Sequence, residues 1–410
     1  MTAWLFTGGR VLDPVKGQLI DGLQVLVEGN RIKEVSDAPI RSASAETIDL
    51  RGKTLMPGLI DCHVHVAAAL VDLKANALAP SSLTALRAAR IMGAMLMRGF
   101  TTVRDASGAD LGLVLAVEEG LIAGPRLVIC GKALSQTGGH SDTRHRMDDR
   151  DTLFSERLGG LGRISDGVDA VRRAAREEIK AGARFIKIMA NGGVASPNDP
   201  IHALGFSKDE IRAIVEEAQN AGTYVAAHVY TDQAIRRAVD CGVHSLEHCN
   251  LIEAETARLA AKAGSIAVPT LVAYEALAME GAAFGLSADS ARKNERIRKA
   301  GIESLAIMKE AGLSMAFGTD LLGQLQRHQC MEFEILARVL SPAEIIASAT
   351  VIGARLCLME GEIGVIAPNA FADLVVLDGD PFRDIGLLQA DGAHMSAIMS
   401  SGKMVKNLLH

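Results

Sequence analysis

Six residues of this sequence carry side chains that bind divalent metals or transfer protons, and each stands within or at the end of an apolar run. They are His63, His65, Lys187, His228, His248 and Asp320. His63 and His65 are two residues apart in "GLIDCHVHV", so in a strand both side chains point to the same face. Imidazole nitrogens and carboxylate oxygens are ligands of zinc and its neighbours. One histidine on an apolar strand is more often a core residue, but this set at five strand ends indicates a metal centre.

Lys187 lies in the middle of "ARFIKIMANGG", a run that predicts a fully buried strand. An unpaired buried ammonium costs several kcal/mol or gives up its proton, so this lysine needs either an ion-pair partner or another chemical role. Burial lowers the pKa of a lysine, and the neutral amine can react with CO2 to form a carbamate. A carbamate is anionic and offers two oxygens, so it can bridge two metal ions. We therefore predict that Lys187 is an N6-carboxylysine.

Eight short apolar runs between residues 58 and 357 alternate with amphipathic segments. The predicted strands are "GLIDCHVHV", "FTTVRDA", "RLVICGKAL", "RFIKIMANG", "TYVAAHVY", "VHSLEHC", "SIAVPTLVA" and "LSMAFGTD". Eight strand–helix units predict an α/β fold with a parallel (β/α)8 barrel over residues 58–358, and such barrels carry their chemistry at the C-terminal strand ends. A doubly wound open sheet is the alternative, but no GxGxxG follows the first strand and eight repeats favour closure.

The two ends of the chain differ from this central region. Residues 1–57 and 359–410 contain alternating polar and apolar runs broken by turn residues, such as "GLQVLVEGNRIKEVS" and "ADLVVLDGDP". Each end is too short and too open-edged to fold alone. We therefore predict one small β-sandwich built from both ends of the chain.

The composition argues against several classes of protein. The chain has 410 residues, of which 49% are hydrophobic and 22% charged, and its net charge is −6. This mild acidity gives no support for nucleic-acid binding, and no apolar stretch approaches the roughly 20 residues of a membrane span. The start lacks the features of a signal peptide, and the six cysteines form no CxxC pair. We expect a cytoplasmic homo-oligomer with reduced thiols, in which Cys62 and Cys249 are core residues.

Loops after the predicted strands contain candidate substrate contacts. Residues 136–166 form a long polar segment after the third strand, and loops of that length in a compact domain are usually functional. His140 lies in this loop and Tyr230 stands two residues after the histidine of the fifth strand, so both are predicted to bind a substrate carboxylate or an oxyanion. Arg144 belongs to a basic cluster that is mostly solvated, although one arginine could pair with an anionic substrate. "NGGVASPNDP" predicts a second loop at the mouth.

The stretch "PGLIDCHVHV" resembles the strand-one HxH signature of the amidohydrolase superfamily. The order HxH, Lys, His, His, Asp along the chain is similar to that of its binuclear members with a carboxylated lysine. The ligands that this resemblance implies are His63, His65 and Asp320 for one metal, His228 and His248 for the other, and Lys187 for both. Zinc is the expected metal, although cobalt or manganese would satisfy similar ligands, and CO2 or bicarbonate would supply the carbamate.

The resemblance also implies a mechanism of amide hydrolysis. Two metals about 3.5 to 4 Å apart would bind a bridging hydroxide, which is the nucleophile. Asp320 would take the hydroxide proton and pass it to the leaving amine, and a role as a pure ligand stays open.

Shorter motifs narrow the range of expected substrates. "ALSQTGGH", "IKIMANGGV", "AHVYTDQAI" and "SLEHCN" are similar to the imidazolonepropionase-related group, which includes dipeptidases for Xaa-Pro or Xaa-Arg/Lys bonds and hydrolases of N-acyl amino acids such as ochratoxin. "FGTDLLG" resembles the prolidase-like members, and no acidic cluster predicts a pocket for a cationic side chain. We expect a small-molecule or dipeptide substrate, with Xaa-Pro first. The alternatives are a cyclic-amide hydrolase, a deaminase and a metal-free scaffold. Deaminases of this superfamily typically lack the strand-four lysine, and a metal-free scaffold would have lost ligands that are present here.

Overall fold

The computed structural model describes residues 3–148, 150, 156–194 and 199–409. Within them the strands, β1 to β20 in chain order, are Ala3–Thr7, Arg10–Asp13, Gln18–Asp21, Gln24–Glu28, Arg31–Ser36, Ala45–Asp49, Thr54–Pro57, Leu59–Val64, Phe100–Asp105, Arg126–Ile129, Ala133–Ser135, Gly162–Ile164, Ile186–Met189, Val225–Thr231, Ser245–Leu251, Ile266–Val268, Ser314–Met315, Leu374–Leu377, Met395–Ser400 and Lys403–Asn407. The α-helices, α1 to α12, are Leu73–Leu78, Ser81–Met97, Leu111–Glu118, Val168–Lys180, Lys208–Asn220, Asp232–Asp240, Ala254–Lys262, Leu271–Glu280, Ala288–Glu310, Met331–Leu336, Pro342–Ala347 and Gly353–Leu356. Short 3-10 helices lie at Gly281–Phe284, Gly323–His328, Ile385–Leu388 and Ala390–Gly392, and a π-helical turn lies at Ser348–Ile352.

A parallel barrel occupies the middle of the chain. Its strand positions are β8, β9, β10 together with β11, β13, β14, β15, β16 and β17, so all eight predicted runs contribute strands. The third position is split, because β10 pairs with β9 whereas β11 pairs with β13. The backbone N–H of Cys62 on β8 donates to the carbonyl of Phe317, just beyond β17, at 2.7 Å and closes the ring. The predicted α/β barrel is confirmed.

Two barrel strands are shorter than their apolar runs predict. Strand β16 ends at Val268, and the residues "LVA" that follow Thr270 begin helix α8 instead. Strand β17 contains only Ser314–Met315. Thr270 and Asp320 have φ values of 53° and 52°, and backbone in the left-handed region cannot continue a strand. Both of these residues lie at the end of the barrel where the candidate ligands stand.

The chain ends form two packed sheets. One has the order β5-β4-β1-β6, and the other has the order β20-β19-β18-β7-β2-β3. In the second sheet β18 from the C-terminal end pairs antiparallel with β7 from the N-terminal end. The buried core between the sheets includes Phe6, Val25, Leu55, Leu374 and Met399. The predicted sandwich of both chain ends is confirmed.

The helices around the barrel begin at local signals in the sequence. Ser207 caps α5, and its hydroxyl accepts from the N–H of Glu210 while the Glu210 carboxylate accepts from the N–H of Ser207. Thr231 is the last residue of β14 and also the N-cap of α6, so the strand passes into the helix without a loop. None of the helices in the described part of the chain has the length and apolar character that a membrane span requires.

Candidate metal centre

His63, His65 and Asp320 meet at the C-terminal end of the barrel. One ligand atom of each residue lies within 4.8 Å of those of the other two. The Nε2 atoms of His63 and His65 lie 3.4 and 3.0 Å from Asp320 Oδ1. The Asp320 side chain is 22% exposed, whereas that of His63 is 1% exposed, so the carboxylate borders the open space and the imidazole lies beneath it. The three donor atoms converge in a way that suits one divalent ion.

The far nitrogens of these two histidines are held by partners. His63 Nδ1 lies 2.7 Å from Glu247 Oε2, and His65 Nδ1 lies 3.1 Å from the Ser107 carbonyl oxygen. Each acceptor places the imidazole proton on Nδ1 and leaves the lone pair of Nε2 for a metal. Burial, together with the charge of Lys187, lowers the pKa of His63 to about 4, which keeps this imidazole neutral at physiological pH.

His228 and His248 lie beside this cluster, with ring centroids 4.6 Å apart. The His248 ring is 5.1 Å from the ring of His63. His248 Nδ1 lies 2.8 Å from Thr270 Oγ1, and His228 Nε2 lies 3.4 Å from the Gly192 carbonyl oxygen. Nε2 of His248 and Nδ1 of His228 are therefore left for a ligand. Burial holds the pKa of both histidines well below its usual value, so both are neutral donors.

Lys187 lies on β13 and lines the same cavity, with 1% of its surface exposed. Among the residues that the structure describes, its ammonium has no hydrogen-bond or ion-pair partner. Burial lowers the pKa of Lys187, although the more distant carboxylates of Glu247 and Asp320 oppose this shift. A buried amine with a lowered pKa has the properties that carbamate formation requires.

A cavity of about 120 Å³ opens beside these residues, and His140 and Tyr230 both line it. The His140 ring stacks on that of His228 with a centroid distance of 4.3 Å, and the Tyr230 ring stacks on that of His248 at 5.1 Å. The Tyr274 hydroxyl donates to the Tyr230 oxygen at 3.1 Å. Burial raises the pKa of Tyr230, so its hydroxyl keeps a proton that it can donate into the cavity.

The rest of the cavity wall is mostly apolar. It includes Leu73, Ala77, Leu161, Val194, Leu277 and Leu325. Arg144 is not among the lining residues, because its guanidinium pairs with Asp142 at 2.7 Å. Residues 149 and 151–155 of the predicted mouth loop, and residues 195–198 of the second loop, lie outside the described residues.

Residues 54–407 match the family model of the amidohydrolases. This chain belongs to the amidohydrolase family. Members of the family generally use a divalent metal, and the described residues of this amidohydrolase supply the cluster of His63, His65 and Asp320 for one.

Several known proteins are similar to this amidohydrolase over most of its length. The crystal structure of another amidohydrolase is 54% identical, covers 100% of both chains and superposes with a TM-score of 0.97. A prolidase in complex with N-methylphosphonate-L-proline is 51% identical over 99% of this chain and 100% of its own, also with a TM-score of 0.97. The ochratoxinase of Aspergillus niger is 31% identical over 388 residues, which are 90% of this chain and 79% of the ochratoxinase. These relatives support hydrolysis of an amide bond as the general reaction.

A buried ion pair lies behind the ligands of the amidohydrolase, and the sequence analysis did not identify it. Arg104 of β9 donates to the two carboxylate oxygens of Glu247 at 2.7 and 2.9 Å, and neither side chain is exposed. Burial raises the pKa of Glu247, but the charge of Arg104 outweighs it and holds that pKa well below its usual value. The ionised Glu247 carboxylate therefore accepts from His63 Nδ1 and holds the orientation of that ring. A charged residue within an apolar strand, the signal that singled out Lys187, also marks both members of this pair.

Replacing Glu247 by Gln is expected to destabilise the amidohydrolase by about 3 to 5 kcal/mol, because the Arg104 guanidinium would stay buried without its counter-ion. The measurement is the free energy of unfolding in urea at matched metal content. The double variant Arg104→Met/Glu247→Leu removes both charges and is expected to recover much of this stability. The metal affinity of the double variant is expected to be lower than that of the wild type, because His63 Nδ1 has lost its acceptor. An unfolding free energy of Glu247→Gln equal to that of the wild type would contradict this account.

Two of the candidate ligands, His248 and Asp320, stand on strained backbone. Non-glycine residues with positive φ at the barrel mouth include His248, Cys249, Thr270 and Asp320, with φ values of 76°, 58°, 53° and 52°. Such conformations cost about 1 to 3 kcal/mol each and persist where the surroundings fix them. The backbone N–H of Asp320 donates to the His63 carbonyl at 2.7 Å, which ties the last strand to the first. The fold thus holds the carboxylate against the first two histidines.

Proposed function

We propose that this amidohydrolase holds two divalent metals and hydrolyses the amide bond before a C-terminal proline, as in Xaa-Pro dipeptides. The observation that carries the proposal is the convergence of four histidines, the buried Lys187 and Asp320 on one cavity of about 120 Å³. The choice of substrate is supported by the prolidase that is 51% identical and that binds N-methylphosphonate-L-proline.

The donor set fits two metals better than one. Nε2 of His63, Nε2 of His65 and Asp320 would hold one ion, and Nδ1 of His228 and Nε2 of His248 would hold the other. Lys187, as an N6-carboxylysine, would be a ligand of both ions, and their positive charges would stabilise its buried carboxylate. The metals, with zinc as the default for nitrogen and oxygen donors, would lower the pKa of a bound water and polarise the scissile carbonyl.

The chain's own residues would handle the proton and the substrate. The Asp320 carboxylate faces the cavity and would accept a proton from the attacking water and donate it to the leaving nitrogen. The protonated Tyr230 hydroxyl and the His140 ring would contact the substrate carboxylate or the oxyanion. The stacking of these rings on His248 and His228 supports that assignment, because it keeps both rings beside two candidate metal ligands.

The cavity favours substrates with apolar and uncharged side chains. Asp320 is the only acidic residue among the described residues that line it, and it is needed as a ligand. The side chain of an Xaa-Arg or Xaa-Lys substrate would therefore lack a counter-ion. Hydrolysis of N-acyl amino acids is a second candidate function, supported by the ochratoxinase relative and by the lack of a further carboxylate for a free ammonium. Because all six cysteines are buried free thiols, we also propose a reducing, cytoplasmic environment.

The test is hydrolysis of a panel of amides by zinc-loaded protein purified with bicarbonate. The panel contains Ala-Pro, Leu-Pro, Ala-Arg, N-acetylproline and N-acetylphenylalanine, and the same protein treated with a chelator is the control. We expect kcat/KM for the proline compounds to exceed that for Ala-Arg by at least about 100-fold, because an unpaired cation is disfavoured in an apolar cavity. Higher activity on N-acetylphenylalanine than on any proline compound would support the second candidate. A preference for Ala-Arg, or no turnover with two metals bound, would contradict the proposal.

A further inference from the structure

Asp199 lies behind His140, on the side away from the cavity. His140 Nδ1 lies 3.2 Å from Asp199 Oδ2, and the backbone N–H of Gly193 donates to the same oxygen at 2.9 Å. Asp199 is 4% exposed. Its second oxygen is buried and has no hydrogen-bond partner among the residues that the structure describes. A buried carboxylate with so few donors needs a further reason for its position.

The His140 ring packs against two flat surfaces. One is the ring of His228, at a centroid distance of 4.3 Å and an interplanar angle of 14°. The other is the backbone of Gly193, where an added Cβ would clash with His140 Cε1. Only glycine fits at this close approach. The two surfaces fix the plane of the ring, but stacking alone does not decide which edge of the ring faces the cavity.

The hydrogen bond to Asp199 determines which edge of the His140 ring faces the cavity. A 180° flip of an imidazole exchanges its nitrogens with carbons, and only one of the two orientations presents Nε2 to the cavity. An acceptor at Nδ1 selects that orientation and places the proton of the neutral ring on Nδ1. Among the described residues Nε2 of His140 has no hydrogen-bond partner, so it is left for a ligand.

The loop that carries Asp199 has other anchors. The backbone N–H of Gly192 donates to the Ala203 carbonyl at 2.9 Å, and the Asn191 side chain donates to the Ile201 carbonyl at 2.7 Å. Lys293 of α9 donates to the backbone carbonyl of Asp199 at 3.3 Å, which does not involve the carboxylate. Removal of the carboxylate therefore leaves these loop contacts in place.

We propose that Asp199 is a positioning residue that, together with Gly193, fixes the ring orientation and tautomer of His140 so that Nε2 contacts the substrate. The inference rests on the proposed function for one point, which is that His140 touches the substrate. Asp199 itself lies outside the cavity lining and acts only through the ring.

The test compares Asp199→Ala, Asp199→Asn, His140→Ala and the double variant Asp199→Ala/His140→Ala as zinc-loaded enzymes on the best substrate of the panel. We expect Asp199→Ala to lower kcat/KM about 10- to 100-fold, as the loss of a histidine-orienting carboxylate does elsewhere. The loss is expected in the same parameter, kcat or KM, that His140→Ala changes. The double variant is expected to be no worse than His140→Ala, and Asp199→Asn, whose amide oxygen can accept the same N–H, is expected to recover most of the loss. Asp209→Asn, an acid on α5 with 82% side-chain exposure, is the control for removal of a negative charge.

Three results would overturn the inference: wild-type activity of Asp199→Ala, additive losses in the double variant, or a loss of metal content or melting temperature that parallels the loss of activity. A substrate-independent readout separates this inference from the proposed function. In ¹⁵N-histidine-labelled protein the imidazole signal that disappears in His140→Ala is expected to show protonated Nδ1, and to shift in Asp199→Ala. If the wild type hydrolyses no amide but Asp199→Ala still shifts this signal, the orienting role of Asp199 stands and only the proposed reaction is refuted. An unchanged signal would refute the orienting role.

Discussion

Lys187→Ala is expected to lower the metal content from two ions to at most one per chain and to reduce kcat/KM by at least about 1000-fold. The lysine is 1% exposed, lines the cavity and has no ion-pair partner among the described residues. If its carbamate bridges the metals, its removal takes one ligand from each ion. Loss of a metal from such a site removes several kcal/mol of transition-state stabilisation, and about 4 kcal/mol corresponds to this change in rate.

Metal content by elemental analysis and a ¹³C spectrum of protein equilibrated with ¹³C-bicarbonate together check this prediction. The wild type is expected to show a carbamate carbonyl signal that Lys187→Ala lacks. Short carboxylic acids such as acetate or propionate are expected to restore part of the activity of the variant, because the vacated space can admit a carboxylate. The exposed Lys208 at the start of α5 offers the matched control Lys208→Ala, for which we expect no change in metal or activity. A metal-replete and fully active Lys187→Ala would refute the bridging role.

The barrel, and the meeting of most of the candidate ligands at one end of it, could be predicted because their signals are local. The spacing of His63 and His65 predicted that both side chains point to the same side, and the apolar runs around Lys187, His228 and His248 predicted that each is buried. Strand ends of a parallel barrel meet at one rim, so residue type and strand order were sufficient to bring these side chains together. The split sandwich followed similarly, since neither chain end can cover its own sheet edges.

The residues that support the ligands could not be predicted in the same way. The contact of Arg104 with Glu247 spans two strands separated by 143 residues, and the partner of each charge becomes known only when the barrel closes. Asp199 and His140 come from two loops without periodicity, 59 residues apart. The left-handed backbone at Thr270 has no glycine to signal it, and the predicted strand that contains this residue was too long. These features depend on tertiary contacts rather than on local patterns.

Asp320→Asn is expected to keep metal at the site but to lower kcat for amide substrates about 100- to 10,000-fold, the range of general acid–base catalysis. The asparagine oxygen can still act as a ligand beside His63 and His65, whereas the neutral amide cannot accept the proton of the attacking water. In the wild type burial opposes ionisation, but the neighbouring histidines outweigh it and hold the pKa of Asp320 below its usual value. The group is therefore ionised, and free to accept a proton, throughout the neutral range.

An ester analogue of the best amide substrate separates proton transfer from metal binding in this variant. A leaving alkoxide needs protonation less than a leaving amine does, so the loss caused by Asp320→Asn is expected to be at least about 10-fold smaller for the ester. Equal losses for ester and amide, with metal content retained, would leave Asp320 as a ligand without a role in protonating the leaving group. Unchanged kcat for the amide would remove it from proton transfer altogether. Asp320→Ala, which deletes the ligand as well, is expected to lose metal, so the two substitutions at one position distinguish the two roles of the carboxylate.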